Sequence, residues 1–324
     1  MPDPAPPEER LARAAAPGRL LRLTLATALV AATLVFLGLA IARNWAEIAA
    51  HDWNVRPLHL AASVGLLVLA LASGVVVWHR VVLRFQGHRI PLRTLLRVWF
   101  LSNLARYVPG KIWQFVGAVQ LGRQAGIAPA VLLTSLVVLT GLTLVAAALI
   151  SLAALPTVFA ELGWAGVTFL VTGAVLGIAG VHPAVINYAL GKVPERLHPE
   201  NLTWTGSWLD GIGLLTLSFG AWTLHGLAFA LFTHSLVGTT AAAVPALVAA
   251  NALAFLIGYM ALVTPGGLGA REAALALMLG PLGSLGVAAV IAVAFRLWLI
   301  VGELLGAALF FRPQRSRSSE DGSA

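Results

Sequence analysis

Ser102-Asn103-Leu104-Ala105-Arg106-Tyr107-Val108-Pro109-Gly110-Lys111-Ile112-Trp113-Gln114 puts two cations and a Pro-Gly step inside a chain that is otherwise largely lipid-soluble. Tyr259-Met260-Ala261-Leu262-Val263-Thr264-Pro265-Gly266-Gly267-Leu268-Gly269-Ala270-Arg271-Glu272 repeats the pattern. Each copy approaches its Pro-Gly through apolar and aromatic residues, and each places a cation at or shortly after the break. The rest of the chain reads as a membrane scaffold that holds these two breaks.

The class follows from composition. The chain has 324 residues, 59% of them hydrophobic and only 10% charged, against roughly 25% charged in a soluble domain. Its mean hydropathy is +0.88. A membrane-crossing helix takes about 20 apolar residues for a hydrocarbon core of roughly 30 Å, so the length is used up by seven or eight spans. The expectation is an all-α integral membrane protein, a polytopic bundle interrupted by two broken or re-entrant segments at the Pro-Gly motifs. No soluble catalytic domain fits beside it.

The net charge of +8 comes from basic residues lying between apolar runs. That distribution fits a positive-inside topology rather than nucleic acid, which is not an expected partner. There is no cysteine, which excludes disulfides, thiolate metal sites and a cysteine nucleophile. No cofactor motif is present: Gly110-Lys111 and Gly191-Lys192 lack the other P-loop residues, and neither a His/Glu metal spacing nor a Gly-x-Ser-x-Gly elbow occurs.

Residues 1–19 are rich in Pro and Ala and read as a disordered cytoplasmic N-terminus. Leu23–Ile41 is the first expected span, too long for the apolar region of a signal peptide. Residues 43–57 read as an outside loop and Leu58–Trp78 as a span. The loop that follows carries Arg80, Arg84, Arg89, Arg93 and Arg97, the strongest orientation signal in the chain, and one that also suits anionic headgroups. After the first break, within Trp99–Val119, spans are expected near Ala130–Leu152 and Trp164–Val181. Residues 182–207 read as an interfacial loop dividing the membrane domain, 20–311, into halves of about 20–181 and 208–311. Spans near Gly211–Phe232 and Pro245–Val263 lead to the second break, and Ser284–Phe311 is the last. The arginines of the disordered tail, 312–324, favour a cytoplasmic C-terminus, so the protein is expected as a multi-pass plasma-membrane protein with both termini inside. Two cytoplasmic termini require an even number of crossings. Seven clear spans then leave one broken segment to cross and the other to re-enter.

The breaks carry the functional expectation. Proline removes a backbone donor and disfavours helix at the preceding residue, so a helix should stop at Val108 and another start near Gly110 or Lys111. Within a bilayer, non-helical backbone is tolerated only where protein or a water-filled cavity surrounds it. A restarted helix offers free N–H groups and a positive dipole end, suited to a phosphate or carboxylate. Lys111 adds a full charge there, and Gly266, Gly267 and Gly269, with Arg271 one turn on, repeat the device. Paired interruptions in two halves point to a transporter's substrate site; the plainer alternative is a Pro-Gly turn joining two ordinary helices.

Arg296 and Glu303 lie seven residues apart in the last helix, about 10 Å along its axis, so each needs a partner elsewhere. The expected pairs are Glu303 with Lys111 or Arg106, and Arg296 with Glu272. His225, mid-span, reads either as a proton relay or as a residue hydrogen-bonded within the bundle. Gly173-xxx-Gly177 and Gly302-xxx-Gly306 read as packing faces.

The two quoted stretches resemble those of the flippase-like transmembrane family, which includes the membrane region of bacterial lysylphosphatidylglycerol synthase/flippase. The similarity runs from about residue 20 to 311. It implies a bundle with broken helices that moves or binds a lipid with a polar, often phosphate-containing headgroup, here without the synthase's soluble aminoacyl-transfer domain. The implied partners are membrane lipids (anionic or aminoacylated phospholipid, or polyprenyl-linked lipid), a separate synthase, and a second copy of the chain. On this reading Asn103, Arg106, Pro109, Gly110, Lys111, Gln114, Pro265, Gly266, Gly267, Gly269, Arg271, Glu272, Arg296 and Glu303 form the substrate site. Two other classes stay open: a membrane-embedded transferase using a lipid-linked donor, with Glu272 or Glu303 as base, and a non-catalytic scaffold for a lipid or glycan synthase.

Overall fold

A computed structural model describes residues 38–39, 42–85, 89–105, 112–152, 155–192, 202–261, 269–280 and 284–311. Its helices are α1 (Trp45–Ala50), α2 (Pro57–Phe85), α3 (Leu92–Leu104), α4 (Ile112–Gln124), α5 (Pro129–Ser151), α6 (Leu155–Gly180), α7 (Pro183–Leu190), α8 (Trp208–Val237), α9 (Val244–Met260), α10 (Ala270–Leu279) and α11 (Leu285–Phe310). Among the described residues there is no strand. The all-α membrane class expected from composition is the one observed. Six stretches are long and apolar enough to cross a membrane: Pro57–Phe85, Pro129–Ser151, Gly163–Gly180, Trp208–Val237, Ala241–Met260 and Leu285–Phe310. All but residues 38–39 of the span expected over Leu23–Ile41, and the two Pro-Gly steps themselves, lie outside the described residues.

The spine is the antiparallel pair α2 and α8. Arg56, just before α2, donates its N–H to the carbonyl of Ser235 near the end of α8, while Arg84 near the end of α2 meets Asp210 in the first turn of α8. Contacts at both ends fix the pair over its whole length, on the order of 40 Å at 1.5 Å per residue. The spine joins two apolar cores. In one, Val75, Trp78 and Val81 of α2 pack with Phe100 of α3, Leu132 of α5 and Leu214 of α8. In the other, Leu67 of α2 and Phe229 of α8 pack with Leu275 of α10 and Ile291, Phe295 and Trp298 of α11.

Lipid tails are as apolar as the core, so close packing and interhelical hydrogen bonds must supply the specificity. Trp78 Nε1 donates to Ser135 Oγ at 2.9 Å, tying α2 to α5, and Trp298 Nε1 donates to Ser63 Oγ at 3.0 Å, tying α11 to α2. Gly302 and Gly306 lie where a Cβ would overlap Leu67 and the ring of Phe100, respectively, so the packing face expected on α11 is real. On α6 only Gly177 meets a neighbour, Val145 of α5, whereas Gly173 faces open space. Helix α6 is peripheral, bends at Gly163 (φ 60°), and exposes Trp164, Phe169, Val175 and Leu176.

The two spine helices overrun the expected spans, α11 fills the last one, and two short helices appear where loops were expected: α1 within 43–57 and α7 within 182–207. Both are shorter than the windows in which apolar periodicity can be recognised. Helix α7 starts where Pro183 fits the first position and His182 caps it, its Nδ1 accepting from Ala184 N at 3.2 Å.

The first break is flanked by two 13-residue helices, α3 and α4, each about 20 Å long and too short to cross alone. A Cβ on Gly117 would lie 3.5 Å from Ser102, and Gln114 hydrogen-bonds Asn103, so the two helices run antiparallel as a hairpin. Helix α3 runs to Leu104 with Ala105 as its C-cap, and the stop expected at Val108 lies outside the described residues. At the second break, α10 begins at Ala270 rather than near Gly267. Gly269, at φ 97°, is in a backbone region that favours glycine and so sets the helix start one residue later. Helix α10 packs back against α9, with a Cβ on Gly258 only 2.8 Å from Arg271 Cβ.

Candidate functional site

Polar side chains converge at mid-depth, where α8, α9, α10 and α11 meet. Glu272, in the first turn of α10, is 4% exposed, and its two oxygens have separate tasks. Oε2 accepts from Gly269 N at 2.7 Å, which caps the helix, and Oε1 lies 2.6 Å from Arg296 Nη2 of α11. The Arg296–Glu272 contact expected from the sequence is therefore present. Nη2 approaches Oε1 out of hydrogen-bonding alignment, and Arg296 Nε is buried with no hydrogen-bond partner among the described residues. The pair thus leaves guanidinium donor capacity unused.

Arg271 lies on the neighbouring face of α10. Its guanidinium carbon sits 4.7 Å from the centre of the Phe295 ring and 5.7 Å from that of Phe255, and at such distances aromatic faces attract a cation by roughly 0.5–2 kcal/mol each. Arg271 Nη2 is 3.5 Å from Asn251 Oδ1 on α9. The amide of Asn251 in turn faces His225 Nδ1 on α8 at 3.0 Å, and the ring of His225 lies between Trp222 and Trp298. A chain of polar groups thus runs His225, Asn251, Arg271 across three helices. His225 takes the hydrogen-bonded place foreseen for it, and Asn251 was not foreseen. Its signal was faint: it is the one amide in the 17-residue apolar helix α9.

At the first break, Gln114 Nε2 donates to Asn103 Oδ1 at 2.6 Å across the α3–α4 hairpin, with Asn103 only 3% exposed. Glu303 is buried on α11 at 2% exposure, flanked by the glycines that let α3 and α2 approach. It has an interaction partner, but its expected partners Lys111 and Arg106 lie outside the described residues, with Pro109, Gly110, Pro265, Gly266 and Gly267. The described site residues therefore form two groups, Gly269, Arg271, Glu272 and Arg296 at the start of α10 and Asn103 with Gln114 at the hairpin, with Glu303 apart from both on α11.

This layout of a half-length helix starting at mid-depth beside two guanidinium groups can hold a negative charge in a low-dielectric interior. Among the described residues no group of histidines and carboxylates is arranged to hold a metal ion. Compared with known proteins, residues 19–306 match the family model described as the lysylphosphatidylglycerol synthase TM region. The chain belongs to this family. No curated protein and no solved structure matches it. Both breaks, the hairpin and the mid-depth cluster fall inside the matched region, so the polar groups belong to the family's membrane region and not to an appended segment.

Proposed function

We propose that this member of the family is a lipid translocase that takes an anionic or polar lipid headgroup into the bundle while the acyl chains stay in the bilayer. The observation that carries this reading is the buried start of α10, where Arg271 belongs to the first turn and the carboxylate of Glu272 beside it meets Arg296 of α11. Glu272 occupies the place an anionic headgroup would take: it accepts from the backbone N–H of Gly269 and touches Arg296. A phosphate arriving there meets the same donors, and the carboxylate keeps the cations compensated between passages. In this mechanism Lys111 and Arg106 at the first break receive the headgroup from the other half, and Glu303 offsets them when the site is empty.

The transferase reading has less support. A general base needs a carboxylate able to take a proton, and of the two candidates Glu272 has Oε2 on Gly269 N and Oε1 in an ion pair with Arg296, while no observation favours Glu303 as a base.

The test is headgroup translocation by the purified protein in liposomes, followed with fluorescent anionic and aminoacylated phospholipids. Wild type is expected to move at least one class. Lys111→Ala and Glu303→Gln are expected to lose transport while still folding, as judged by a monodisperse elution profile. Inactive wild type across the lipid panel sinks the translocase reading. Unimpaired transport by Lys111→Ala removes that lysine from the site.

A further inference from the structure

A second lipid contact stands on the outside of the spine, away from the mid-depth cluster. Arg80 and Arg84 are four residues apart and so share one face of α2. Opposite them is the start of α8. Leu209, Asp210, Gly213, Leu214 and Leu217 complete a groove of about 150 Å³ with the two arginines. Asp210 Oδ1 holds Arg84 Nη2 at 2.5 Å. Its other oxygen serves the helix cap, accepting from Ser207 N at 2.8 Å and Ser207 Oγ at 3.0 Å. Asp210 is thereby fully committed, and exposed Arg80 makes no ion pair among the described residues. Two cations against one carboxylate leave the groove at +1.

The wall of the groove is built for hydrocarbon. Leu209 is 79% exposed and Leu217 41%; eight residues apart, they span about 12 Å along the helix. Gly213 between them has nothing within 4 Å of where a Cβ would stand, so the floor is open. Trp208, next to Leu209, is exposed, as is Tyr188 on α7, and Lys192 Nζ lies 5.3 Å from the centre of the Tyr188 ring. Exposed Trp and Tyr with basic residues mark the headgroup level of a membrane. Arg89, in the turn that follows α2, and Arg93, in the first turn of α3, are also exposed.

We infer that this groove is a binding site for one anionic phospholipid of the surrounding leaflet, its phosphodiester on Arg80 and the free edge of Arg84, and one acyl chain along Leu209, Gly213 and Leu217. A lipid held here braces the spine where α2 ends and α8 begins. The site is independent of the translocation reading, because the lipid stays in one leaflet.

The experiment counts motionally restricted spin-labelled phosphatidylglycerol and phosphatidylcholine around the full chain in phosphatidylcholine bilayers by electron paramagnetic resonance. Wild type is expected to prefer phosphatidylglycerol, and Arg80→Gln to weaken phosphatidylglycerol at this one site about fivefold, the usual effect of one arginine near an anionic surface, which is read as a lower preference averaged over the boundary lipids. Asp210→Asn retains a side chain able to cap and removes the competing charge, so it is expected to raise the preference. Arg123→Gln, an exposed arginine on α4, leaves it unchanged. An Arg80→Gln preference equal to wild type, a loss of the same size in Arg123→Gln, or a fall in Asp210→Asn would each overturn the site. Circular dichroism and elution profile confirm that the variants are folded.

Discussion

Glu272 carries two obligations, capping α10 through Gly269 and meeting Arg296. A buried ion pair is weak evidence for stability, because two ions have been taken out of water, yet removing one partner strands the other at about 3–5 kcal/mol. Glutamine also serves in the capping position, so Glu272→Gln isolates the charge. The expected result is a clear fall in the unfolding temperature of the detergent-solubilised protein, with most of the loss restored in the double variant Glu272→Gln/Arg296→Met. A double variant as unstable as the single one would show that the cap and not the ion pair matters. Restored stability without restored transport would assign the pair to the headgroup site. The sequence made this pair legible, since two ionisable residues on apolar helices each need a partner. Asn251 stayed illegible: one amide in an apolar helix has no spacing to read, and only the fold places it between His225 and Arg271.

At the scale of elements, two Gly-xxx-Gly patterns that look alike in sequence differ in what they meet. Gly306 abuts Phe100, while Gly173 faces open space. Gly306→Ala should therefore overpack the α11–α3 contact, at a cost of about 1–3 kcal/mol, and lower the unfolding temperature, while Gly173→Ala should leave it unchanged or slightly raise it through better helix propensity. Equal effects at both positions would mean that the α11–α3 contact is looser than described. Helix length was misjudged for a related reason. Apolar windows end at the first charge, so α2 was expected to finish near Trp78, whereas the helix continues to Phe85 with Arg80 and Arg84 on its surface. Long basic side chains can extend from a helix end into the headgroup region, and helix end and hydrocarbon boundary need not coincide. Conversely, α1 and α7 were hidden because six and eight residues with polar flanks give no recognisable period.

For the whole molecule, the spine turns orientation into a single measurement. Because α2 runs from Pro57 to Phe85 beside antiparallel α8, the segment around Asn54 and the segment around Arg89 must face opposite sides of the membrane. Both residues are exposed, and the chain has no cysteine, so Asn54→Cys and Arg89→Cys each introduce one unambiguous thiol. By the positive-inside bias, the arginines at 80, 84, 89 and 93 predict that the second segment is cytoplasmic. A membrane-impermeant maleimide added to intact cells should then label Asn54→Cys and reach Arg89→Cys only after permeabilisation. The reverse pattern would invert the orientation, and with it the leaflet that supplies the lipid for the Arg80–Arg84 groove. Labelling of both thiols in intact cells would contradict the spine itself, since a 29-residue apolar helix lying on one face would have to expose Leu67, Val75 and Trp78, all fully buried in the bundle.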